Sequence, residues 1–148
     1  YAEVLRLYRE ARTAPGAAWR LICAGAILDA AVSARTPFDA THVDLAGYAV
    51  STDMLVRSGA FFACPEIRTA TAGTLRDIVE PQRQKLLASV TTLGAGPVGD
   101  RDYNAEAALA ALANLVDLVA RDLVLASLRA DGYLRAAAAV EEAEPASV

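Results

Sequence analysis

At 148 residues with a net charge of -4, the chain has the length of one domain, since most domains fall between roughly 100 and 200 residues. Hydrophobic residues make up 55% and charged residues 22%, which excludes a chain disordered throughout. The acidic balance, with a pI near 4.9, opposes non-specific binding to phosphate backbones, so nucleic acid is not an expected partner.

Residue types that usually announce chemistry are scarce: one His, two Cys, one Trp and a single Lys, Lys85. The other thirteen of the fourteen cations are Arg, spread from Arg6 to Arg135 without a cluster. Abundant Ala with Arg in place of Lys is a compositional habit of G- and C-rich genomes and points to a bacterial source. Cys23 and Cys64 sit among small or apolar neighbours, as buried hydrophobes do, and are read as free thiols in a reducing, cytoplasmic setting; a Cys23–Cys64 bridge is the alternative. No apolar run reaches the roughly 18 residues of a membrane span, because Arg20 and Asp29 bound the best one. The start at Tyr1, with neither Met nor leader, looks like a domain cut from a longer chain.

Val4, Leu5, Tyr8 and Ala11 fall at helical spacing and predict a first helix ending near Thr13. Pro15 suits the first turn of a second helix, whose Trp19, Ile22, Cys23, Ala26, Ile27 and Ala30 mark a core face and which ends by Thr36-Pro37. Thr41 to Val50 offers at most one short strand. Ser51 is a fit N-cap for a short helix through Met54, Leu55 and Arg57, closed by Gly59, and Phe61 to Thr71 reads as a loop. From Thr74 a longer helix shows an apolar stripe of Leu75, Val79, Leu86, Val90 and Leu93, with Arg76 and Glu80 on the opposite face. Pro81 predicts a kink or a fresh start within it.

Gly94-Ala95-Gly96-Pro97-Val98-Gly99 reads as a loop without bound phosphate, since it lacks a preceding strand and a Lys-Ser/Thr ending. Asp102 or Asn104 can then cap a helix running to about Arg129, on the order of 40 Å long. Its polar strip is narrow, chiefly Glu106, Asn114, Asp117 and Arg121, so most of its circumference requires cover from its own domain or from a partner. Leu109, Leu112, Leu115, Val116, Val119 and Leu123 are therefore the candidate interface. Residues 1–135 are read as one all-α bundle of about five or six helices, and 136–148 as an Ala-rich acidic tail.

No constellation announces catalysis. His42, the only histidine, stands two residues from Asp44 without the three or four convergent ligands of a metal site, and no cofactor is expected. Glu141-Glu142 is read as a solvated tail. Trp19, Phe61, Phe62 and Tyr103 are candidates to line a cavity in the bundle.

Tyr8-Arg9-Glu10-Ala11-Arg12, then Pro15, Trp19 and Ile27-Leu28-Asp29, followed by Leu75-Arg76-Asp77-Ile78 and Pro81-Gln82-Arg83-Gln84, resembles the helical half of methylamine-utilisation J-like proteins. That half resembles HEPN-type helical domains, in which an Arg is followed four to six residues later by a His and the pair, facing its copy across a dimer, binds and cleaves RNA. Arg83 holds the Arg position here, but Ala88, Ser89 and Val90 stand where the His would be. None of them exchanges a proton near neutral pH. The resemblance thus implies the scaffold and a dimerising habit without the ribonuclease.

The expectation is a non-catalytic helical assembly module, pairing with itself or with another protein of its own system. The alternatives are a ribonuclease of the HEPN kind and a small-molecule sensor using a bundle cavity.

Overall fold

The computed structural model describes residues 1–13, 16–40, 44–67, 70–91 and 103–130. Six α-helices occur among them: α1 (Ala2–Thr13), α2 (Ala17–Val32), α3 (Thr52–Ser58), α4 (Ala60–Ala63), α5 (Ala72–Thr91) and α6 (Tyr103–Ala130). No strand occurs among the described residues, and the fold is an all-α bundle. His42, the Gly94–Gly99 loop, Leu93, Asp102, the division at residue 135 and the tail lie outside the described residues.

The local chemistry of the chain explains several helix ends. The Ser51 side chain accepts from the Met54 amide at 3.2 Å and starts α3, while Gly59 at φ 86° ends it and allows α4 to follow at once. α2 stops well before Pro37, because Ala34 takes a left-handed conformation (φ 52°) and the Arg35 amide reaches back to the Ala30 carbonyl at 2.9 Å.

Three expectations need correction. The stretch read as a loop from Phe61 holds α4 and a short 3-10 turn at Pro65–Ile67. α5 begins at Ala72 rather than Thr74, with the Thr71 hydroxyl accepting from the Thr74 amide at 3.3 Å. Pro81 starts no new helix: α5 runs through it, since the residue is exposed and the carbonyl it leaves unpaired, that of Asp77, belongs to a solvent-facing residue. Of the possible strand only an isolated antiparallel bridge exists, Ala49 with Thr71, flanked by hydrogen bonds from Val50 to Ala70 and from Ala72 to Tyr48.

α2 is the hub, packed by α1, α5 and α6. Leu21, Ile22, Cys23, Ala24, Gly25, Ile27, Leu28 and Ala31 are all buried, which covers the helix on every side rather than along one stripe. α6 lies along it, with α3 and α4 across another part of its surface. Polar ties hold the C-terminal part of α6: the Tyr1 and Ser127 hydroxyls meet at 2.5 Å, and the Tyr48 hydroxyl donates to Asp122 Oδ2 at 2.6 Å. Burial first, and the Asp122 carboxylate second, push the Tyr48 phenol up to about 12.

Candidate functional site

The candidate interface residues on α6 divide. Leu112, Leu115, Val116, Val119 and Leu123 lie in the core of the chain itself, and Leu109 is partly buried against it. Trp19, read as part of a core face, is 42% exposed in the first turn of α2, and Phe62 is 79% exposed. Phe61 packs on the core and meets the Phe62 ring edge-on at 5.0 Å. Tyr103 lies in α6, but its side chain is outside the described residues. The three depressions described below are lined by none of these four aromatics.

Arg83 lies in a seam of charge between α2 and α5. Its guanidinium donates twice to Glu80, at 3.0 and 2.8 Å, and its stem passes over Gly25 so closely that a Cβ there would stand 2.8 Å from Arg83 Cδ. Those hydrogen bonds hold the Glu80 carboxyl below its usual range. Further along, the buried Asp29 accepts from Arg35 and, at 3.1 Å, from Arg76, which also reaches the Ser33 hydroxyl. Arg76 was expected opposite the apolar stripe; it turns inward because Asp29 offers a partner across the seam. Its Nε makes no aligned hydrogen bond but stands 2.9 Å from Asp77 Oδ1.

A second polar region lies where α3 meets α6. Arg57, Ser58, Asn114, Asp117 and Leu118 line an open depression of about 200 Å³. Asn114 and Asp117, three apart on α6, share a face; Asn114 Oδ1 is taken by Arg20. Asp117, on the narrow polar strip of α6, is only 8% exposed. Its Oδ2 stands 3.6 Å from an Arg12 nitrogen and its Oδ1 has no hydrogen-bond partner among the described residues. An unpaired buried acceptor of this kind costs about 1–3 kcal/mol. Burial pushes the Asp117 carboxyl up, against the pull of Arg12, Arg20 and Arg121. The signal that could have found it is a carboxylate three residues from an amide on a helix otherwise apolar, but which cations meet it depends on how α1 and α2 pack.

A third region is apolar. Leu5 and Tyr8 of α1 with Val124, Leu125 and Leu128 of α6 line an open groove of about 130 Å³, bordered by Arg121. Leu5 is 45% exposed at its edge. One more depression, of about 240 Å³, includes Cys64, Glu66, Gln82, Leu109 and Leu112. Cys23 and Cys64 are buried and unbridged, and burial pushes both thiols up, away from the reactive thiolate. Among the described residues no group of His, Cys, Asp and Glu is placed to hold a metal ion, and no helix is long and apolar enough to cross a membrane.

These features define a small all-α bundle that carries, among the described residues, a paired charge seam, a polar depression, an apolar groove and a mixed depression beside Cys64. The chain is related to methylamine utilization proteins named MauJ: it is 34% identical to that of Methylorubrum extorquens over 122 residues, 82% of this chain and 41% of the relative. With the Paracoccus versutus protein of the same name it shares 35% identity over 134 residues, 87% of this chain and 42% of the relative. The resemblance to methylamine-utilisation J-like proteins thus extends over most of the chain, which spans about two fifths of the length of these curated relatives. No protein-family model matches the chain, and no solved structure does.

Proposed function

We propose that this chain is a non-catalytic assembly module of a methylamine-utilisation system, joining a second copy of itself through the groove between α1 and α6. The observation that carries the reading is the open apolar groove of Leu5, Tyr8, Leu125 and Leu128, because uncovered apolar surface gains most from a partner. Related proteins named for methylamine utilization support the setting. The six candidate interface residues on α6 serve this association indirectly: they hold the helix in the core so that its Leu125 and Leu128 edge is presented with α1. Arg83, tied to Glu80 and laid over Gly25, supports a scaffold role in place of RNA cleavage.

Light scattering on a sizing column tests the reading. The expected result is a species of twice 15.5 kDa at micromolar concentration, reduced to the single mass by Leu5→Glu or Leu125→Glu. A 15.5 kDa species for the unaltered chain at that concentration would sink self-association.

A further inference from the structure

We propose that Asp117 makes the pairing of two copies sensitive to acid: its charge balances Arg12 and Arg121 at the edge of the groove between α1 and α6, and a proton on it leaves those cations to repel the second copy. The inference rests on the assembly reading and names how that contact is regulated.

Two links join Asp117 to the groove. Its carboxylate meets an Arg12 nitrogen at 3.6 Å, and the Arg12 guanidinium lies over the ring of Tyr8, 5.9 Å from its centre, on the groove wall. Arg121, one turn further along α6, borders the same groove and acts on the same carboxylate. Among the described residues no other carboxylate forms an ion pair with either arginine. The charged groups that face Asp117 from the neighbouring helices are Arg12 of α1, Arg20 of α2 and Arg57 of α3, whereas α4 carries no ionisable side chain. Arg20 is taken by Asn114 and Arg57 by Asp53, so neutralising Asp117 leaves a wholly cationic surrounding.

The sign of the effect follows from linkage. When two copies meet through their grooves, the cations of both edges gather near each Asp117, so pairing favours the charged carboxylate and lowers its affinity for a proton relative to the single copy. Its contribution to pairing is therefore present at neutral pH. It is lost as pH falls through the range where this carboxyl, pushed above 3.8 by burial, takes up its proton. The chain as a whole pulls the other way: its net charge of -4 at pH 7 fades toward the pI of about 4.9, and general repulsion between copies fades with it. Loosening in acid thus separates the Asp117 effect from the charge of the chain at large.

The test is the dimer dissociation constant of the whole chain, from light scattering over a concentration series between about pH 7 and about pH 4.5. The unaltered chain is expected to pair about tenfold more weakly at the acid end. Asp117→Asn, with its fold checked by urea midpoint, should show a similar loss already at neutral pH and no further weakening in acid. Arg121→Gln, at an exposed position, removes one of the repelling cations and should recover part of the acid loss. Equal pairing by Asp117→Asn and the unaltered chain at neutral pH, parallel pH curves for the two, or no recovery in Arg121→Gln would each overturn the proposal and leave the assembly reading standing. A 15.5 kDa species at every pH overturns that reading and this proposal with it.

Discussion

The seam between α2 and α5 and the depression between α3 and α6 both take charge out of water, and they treat it differently. In the seam each carboxylate has cations within reach: Asp29 has Arg35 and Arg76, and Glu80 has Arg83. In the depression Asp117 has one cation at 3.6 Å and an oxygen with no partner among the described residues. Burial alone therefore does not mark a site. A buried charge whose partners are supplied by the fold serves the fold, and one left short of partners is held at the cost of its own desolvation.

The sharpest way to break this contrast is to empty the seam. Asp29→Ala takes from Arg76 its buried carboxylate partner, and because both Arg partners keep some water and Arg76 retains Ser33 and Asp77, the expected loss is about 2–3 kcal/mol in urea unfolding, at the low end for a broken buried pair. Gly25→Ala follows, at about 1 kcal/mol: the crowding against Arg83 outweighs the helix propensity Ala gains over Gly. Combining it with Arg83→Ala should remove that crowding, so the two losses should add to less than their sum.

Acid titration of stability separates the two carboxylates by sign. The folded state lowers the Glu80 pKa below 4.5, so its contribution is present above that value and is lost as pH falls through the lower folded one. Asp117 is raised above 3.8, so the folded state binds its proton more readily, and mild acid removes a penalty present at neutral pH. Asp117→Asn should hold or raise stability at pH 7 and abolish that acid-side gain, whereas Glu80→Gln should abolish an acid-side loss. Urea midpoints at several pH values check both. The smallest effect is expected from Asp53→Ala, below about 0.5 kcal/mol, because its pair with Arg57 is exposed on both sides.

What the sequence made legible follows the range over which each feature is decided. The Ser51 cap and the Gly59 stop are settled within a few residues, and α3 lies between them as expected. The all-α class follows from periodicity alone, and the run of apolar residues on α6 correctly indicated a helix needing cover. Its cover comes from α1, α2, α3 and α4, which no single segment reveals. Of the two outcomes expected at Pro81, the fresh helix start does not occur, because the effect of the residue depends on which carbonyl it orphans and whether that carbonyl faces water. Trp19 misled because its place in a helical stripe does not say where the neighbouring helices stop. Arg83 was legible as a residue without its expected histidine, but its closeness to Gly25 is a fact of packing. Asp117 was illegible for the same reason, since Arg12 and Arg20 reach it from other helices.

The position of α2 has a consequence for how the molecule breathes. Its backbone is shielded by α1, α5 and α6 together, so peeling away any one neighbour leaves most of its amides still covered. Deuterium can reach the middle of α2 only when the whole assembly of helices comes apart, whereas the short α3, closed by a glycine hinge, can open by itself. The slowest protons in the chain therefore sit around Leu21 to Leu28, and the rate at which they leave is a direct reading of the stability of the entire domain.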